Sequence, residues 1–230
     1  ALEAVSGGQS IRPGLRYQSP NGVDYEVTLL RYYIGSPVLV DTAGLETSLQ
    51  LLDSVGAPLR FNLSLYDLDR PESHTIRFKA RPGMYRELRF VVGVPLIGPS
   101  GDTLNHSDAS ANEYPLNVDA DMYWGWKAGY IHFKLEGRSR IDTSDAPFYY
   151  HVGEDRRLMY IQLAGPLAIS ETSTTGVSIR FDVNRMFVTP SGVVSPNPGG
   201  GLSDRIANSG AIADTVANNI AKSGVFSLAR

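Results

Sequence analysis

Alternation of apolar and polar residues dominates most of the chain. From Tyr25 to Ile34 the alternation ends in the aromatic pair Tyr32-Tyr33, which predicts a strand. Pro37–Val40 predicts a second strand, closed by a turn at Gly44. Leu49–Leu52 and Leu59–Leu65 predict two more, split by Gly56-Ala57-Pro58. In the latter, Phe61, Leu63 and Leu65 share one face while Asn62 and Ser64 share the other, the pattern of a half-buried strand. Similar runs recur at Thr75–Ala80, Glu87–Val94, Tyr130–Leu135, Pro147–Val152, Leu158–Leu163 and Val177–Val183, and Arg185–Val188 extends the last. Residues 1–22, rich in Gly, Ser and Pro, read as a loose arm. Residues 98–120 read as a long polar loop, a segment type that often carries function.

The period changes near the end. Ile212, Val216 and Ile220 recur every four residues, one stripe of a helix near 211–222. Ser209-Gly210 precedes it and Ser223-Gly224 ends it. The stretch 191–203, with three consecutive glycines, reads as a linker into that helix. The expected architecture is all-β: a single antiparallel β-sandwich domain over 1–230 with a short C-terminal helix.

Composition narrows the function classes. A chain of 230 residues buries enough surface to need no covalent staple. It contains no cysteine, which removes disulfides, thiolate ligands and cysteine nucleophiles together. The net charge of −3 comes from 21 basic and 24 acidic residues, well mixed, so neither nucleic acid nor an anionic membrane surface is an expected partner. No apolar run reaches the roughly 18–20 residues that span a bilayer. Ala1-Leu2-Glu3-Ala4 has neither the charged nor the apolar region of a signal peptide. Nucleophile elbow, P-loop and His-Glu-x-x-His patterns are missing, so the expectation is a protein that is not an enzyme.

Candidate chemistry rests on few residues. The histidines are His74, His106, His132 and His151, and without cysteine a transition metal must rely mainly on them. His106 lies in the long polar loop. His132 lies on the face of the strand that carries Tyr130. His74 follows Pro71-Glu72-Ser73 and reads as solvated. Both tryptophans, Trp124 and Trp126, stand two apart, on one face if the block is extended, although Gly125 between them is compatible with a bulge. Two rival readings use neighbouring residues. Asp102, Asn105, Asp108, Asp119 and Asp121 offer oxygens for calcium in an adhesion domain. Trp124, Trp126 and Tyr130 offer a stacking platform for carbohydrate.

The block Met122-Tyr123-Trp124-Gly125-Trp126, followed by Gly129-Tyr130, then Lys134-Leu135-Glu136-Gly137, then Phe148 with His151 and Gly153, resembles the MbnP-type family of bacterial periplasmic copper-binding proteins. Tyr32-Tyr33-Ile34, Gly93-Val94-Pro95, Asn105-His106, Pro115-Leu116-Asn117 and Ala217–Ile220 with Phe226 resemble further family segments in the same order. Two departures stand out: Gly35-Ser36 after Ile34, and Asp67 after Tyr66 where the family pattern has a histidine. The resemblance implies a copper site in which histidines, His151 and His106 first and His132 second, are joined by a tryptophan oxidised to kynurenine, here Trp124 or Trp126. Intact indole offers a metal no lone pair, whereas ring opening releases an aniline nitrogen. The resemblance further implies a dihaem peroxidase-like modifying enzyme as partner, a role in copper homeostasis, and a periplasmic or extracellular, outer-membrane-anchored location.

Overall fold

A computed structural model describes residues 1–107, 113–125, 127–189, 192–197, 205–222 and 224–229. The main strands are β1 (Leu2–Ser6), β2 (Asp24–Asp41), β3 (Leu63–Asp67), β4 (Gly83–Val92), β5 (Ile131–Ile141), β6 (Ser144–Gly153), β7 (Met159–Ile169), β8 (Ile179–Asp182) and β9 (Phe226–Leu228). The large sheet runs β7-β4-β2-β5-β6 and ends on the short strand Ile206–Ala207. The small sheet runs β9-β8-β1 and ends on Gln9–Ser10. The β-sandwich expectation holds, with two parallel pairings inside it: β1 with β8, and Ile206–Ala207 with β6.

The predicted strands at 25–34 and 37–40 are one strand, β2. Gly35 and Ser36 (φ 50°) bend it without ending it, and the register to β4 shifts between Gly35 and Val38. The N-terminal residues form no loose arm. Leu2, Ala4 and Val5 are buried, and β1 lies beside β8, more than 170 residues away in sequence. Arg185–Val188 does not prolong a strand either. Val183–Phe187 forms the short helix α1, whose cap Asp182 accepts a hydrogen bond from the Asn184 N–H. The C-terminal helix α2 spans Gly210–Lys222 and buries Ala213, Val216, Ala217 and Ile220 against the sandwich. The expected linker 191–203 is not all linker: Gly192–Val193 pairs with Val188–Thr189 and Val194 is buried, while 191 and 198–203 lie outside the described residues.

Two apolar clusters result. The larger fills the space between the sheets, with Tyr32, Phe133, Phe148, Tyr150 and Phe181 among its buried aromatics. The smaller lies at one end of the large sheet, beneath the loops of residues 94–107 and 113–123, and includes Tyr33, Leu65, Val94, Leu104, Met122 and Tyr130. The candidate residues border this second cluster.

A histidine and tryptophan cluster at the Gly153–Asp155 turn

The tryptophan block is a hairpin turn rather than an extended strand. Tyr123 bridges Tyr130, the Trp124 N–H donates to the Gly129 carbonyl, and Gly125 (φ 110°) and Gly129 (φ 74°) take backbone conformations that suit glycine. Trp124 thus sits at the mouth of the turn, while Trp126 lies outside the described residues. The Trp124 ring lies on Gly153, where a Cβ would come within 2.6 Å of its Cζ3. Tyr130 is fully buried and donates its hydroxyl to the Leu116 carbonyl at 2.7 Å, so it forms no part of an exposed sugar platform.

Gly153 opens the turn that follows β6. Glu154 adopts φ 73° and ψ 138°, a region nearly confined to glycine, at a cost on the order of 1–3 kcal/mol. Contacts on several sides hold it there. Its carbonyl meets His132 Nε2 at 3.1 Å. Its carboxylate meets Arg156 Nε at 3.0 Å and Arg157 NH1 at 2.7 Å. Burial opposes ionisation of Glu154, but the two arginines prevail and hold its carboxyl below the usual range. Both arginines also reach Asp214 on α2, each at 2.7 Å, and the hydrogen bond from Arg157 is the main reason that its carboxyl is lowered.

His132 occupies a bulge between Ile131 and Phe133 in the β5–β6 pairing, and is completely buried. Its Nδ1 accepts the Val94 N–H at 3.2 Å, so Nε2 carries the proton that is donated to Glu154. Burial lowers its pKa from 6.5 to about 4 and keeps the ring neutral. Both nitrogens are therefore engaged, in the tautomer opposite to the one a metal at Nε2 requires. His106 (φ 69°) sits on the other side of the same turn, its Nε2 3.3 Å from Asp155 Oδ2. Asn105, buried beside it, donates to Asp155 Oδ1 at 2.6 Å and accepts the Tyr130 N–H at 2.7 Å. That amide ties the 105–106 loop, the tryptophan turn and the Gly153–Asp155 turn together.

His151 keeps different company. It stands opposite Lys134 across the β5–β6 ladder, and its Nε2 lies 2.8 Å from Glu136 Oε1. Burial lowers its pKa against the opposing pull of Glu136. Lys134, itself buried, is 3.6 Å from the same Glu136 oxygen and donates to the backbone and carboxylate of Asp121. An ammonium beside His151 disfavours a cation there. Asp67 is also committed, to Arg31 at 2.9 Å. His74 is half-buried rather than solvated: it stacks on Tyr66 at 4.7 Å, and its Nε2 is 2.9 Å from the Asp67 carbonyl.

Among the described residues, no three His, Asp or Glu side chains converge into a metal site. This bears on the calcium reading too. Asn105 and Asp121 have the partners named above, and Asp108 lies outside the described residues. What does converge is a set of different donors. His106, His132 and the Trp124 ring all meet the three consecutive residues Gly153, Glu154 and Asp155. Sequence reasoning singles out His106, His132 and Trp124, which the fold brings to this turn. It does not single out Arg157 or Asp214, whose link to Glu154 depends on α2 arriving from a distant part of the chain.

No curated protein matches the chain. Among solved structures, MbnP from Methylosinus trichosporium is similar, with a TM-score of 0.61 at 18% sequence identity, covering 88% of this chain and 81% of that one. At that identity the likeness is one of fold. The sequence profile of the MbnP family matches residues 1–200, most of the molecule. With the tryptophan turn, the β5–β6 ladder and the His106 loop all inside that match, the chain belongs to the MbnP family.

Proposed function

We propose that this protein binds copper outside the cytoplasm, in acquisition, storage or delivery of the metal, and is not itself an enzyme. The observation that carries this reading is the meeting of His106 and the Trp124 ring at Gly153–Asp155, in a family member without cysteine. Imidazole nitrogen with an aniline nitrogen from an opened indole is a neutral donor set suited to copper(I). His106, on the rim, would exchange its Asp155 contact for the metal. His132 would join only by changing tautomer and giving up the Val94 N–H; as it stands it supports the turn from below. Copper supplies no reaction step in this reading; it is the cargo.

The reading needs an oxidising partner of the dihaem peroxidase type to reach the indole, and it is supported by the exposure of Trp124, about one-third. The periplasmic or outer-membrane-anchored location belongs to the same proposal. The test is the intact mass of protein from its native host, with metal content on the same sample. A mass shift for Trp→kynurenine in the 121–130 peptide, with copper present and lost in His106→Ala, supports the reading. An unshifted mass and no copper reject it.

A further inference from the structure

The family profile ends at residue 200, yet a side chain well beyond it reaches the candidate site. Asp214 Oδ1 on α2 accepts from Arg157 Nε and from Arg156 NH1, both at 2.7 Å. Arg157 is buried at its side chain and continues to Glu154 Oε1 at 2.7 Å. Arg157 NH2 adds a contact to the Gly210 carbonyl at the start of α2. Glu154 is the residue in the glycine-like conformation, and its carbonyl accepts a hydrogen bond from His132 Nε2. A path of ion pairs and charged hydrogen bonds thus runs from the helix to the strained peptide under the site. A conformation this unfavourable persists only where its surroundings over-determine it, and strain of this kind gathers at functional sites.

We infer that Asp214 and Arg157 are positioning residues for the Gly153–Asp155 turn, so that α2 sets the geometry in which His132 and His106 meet it. Neither touches the metal. They act by fixing Glu154, whose carbonyl meets His132 and which precedes the Asp155 carboxylate that meets His106. The inference rests on the copper reading for its effect on metal. Its structural part stands apart from that reading. Outer partners of this kind typically change metal affinity 10–100-fold when removed.

The experiment uses the full chain from the native host, as wild type, Asp214→Asn and Ile212→Ala. Ile212 packs on the core from the same helix without entering the charged path, so it controls for loss of helix packing. The first readout, on metal-free protein, is the imidazole nitrogen spectrum of His132 and the exchange rate of its Nε2 proton. The second is affinity for copper(I), buffered by a chromogenic chelator. The expected result is faster proton exchange and altered His132 shifts in Asp214→Asn alone, with copper(I) affinity about tenfold weaker. An unchanged His132, or an equal change in Ile212→Ala, overturns the inference. So does unchanged affinity in Asp214→Asn when the wild type binds copper. If the wild type binds no copper, the proposed function fails, and the His132 spectrum alone decides the role of Asp214.

Discussion

The neutrality of His132 has a direct thermodynamic consequence. In the unfolded chain this imidazole titrates near the ordinary 6.5, whereas in the folded protein burial delays protonation to about 4. Between those values the unfolded state binds a proton that the native state refuses. Stability is therefore complete above pH 6.5 and declines as pH falls toward 4. At about 1.4 kcal/mol per pH unit, this interval amounts to ~3 kcal/mol, a large share of a typical folding free energy. His151, also lowered by burial, adds a loss of the same sign. The informative comparison is His132→Asn. Its Oδ1 occupies roughly the place of Nδ1 and can still accept the Val94 N–H, but the side chain does not titrate. Urea unfolding of both proteins from about pH 7 to about pH 4.5 would separate the effects. The variant is expected to start less stable, since it loses the bond to Glu154 and leaves a void, and then to show a markedly flatter decline. Parallel curves would refute the argument, because they would mean that the folded protein accommodates the imidazolium.

Other substitutions test the remaining geometry. Gly153→Ala drives a Cβ to 2.6 Å from the Trp124 ring and 2.9 Å from the Tyr130 carbonyl, so a loss of ~1–3 kcal/mol is expected. Calorimetry and a shift in tryptophan emission would register it, and an unmoved Trp124 would contradict the contact. Asn105→Ala strips the Tyr130 N–H and Asp155 of their shared partner and should cost ~2 kcal/mol, with faster amide exchange at Tyr130. Tyr32 has a fully buried hydroxyl with no hydrogen-bond partner among the described residues, so Tyr32→Phe should raise stability by about 1 kcal/mol. A lower denaturation midpoint for that variant would show that the hydroxyl is satisfied after all.

How far the sequence discloses this molecule depends on the range of the interaction involved. The helix α2 and most strands were legible because their periodicity is local. At β2 the pattern is interrupted by Gly35-Ser36, and sequence alone cannot distinguish a bend from an end, since pairing with β4 resumes beyond it. β1 was missed because five residues amid Gly and Ser carry little pattern, and its partner β8 lies at the far end of the chain. The same holds at the site. His106 and Trp124 were recognisable by type and family pattern. The commitment of both His132 nitrogens was not, because it depends on Val94 and Glu154 arriving from other segments. Asn105 was noticed as an oxygen donor for calcium, yet its buried amide serves as a three-way brace.

The uninterrupted course of β2 bears on how the molecule comes apart. Arg16–Gln18, β3, β4, β5 and Glu46–Ser48 all draw backbone hydrogen bonds from this single segment. β5 pairs with the first half of β2, Asp24–Tyr32, and β4 with the second, Ile34–Asp41, so the two wings of the large sheet are joined through the continuity of one strand. Local opening is expected first at the periphery, where Ile206–Ala207 and Gln9–Ser10 hold by two pairs each. The amides at the middle of β2 should exchange with solvent only when the whole sheet is lost, which makes this strand the mechanical spine of the protein.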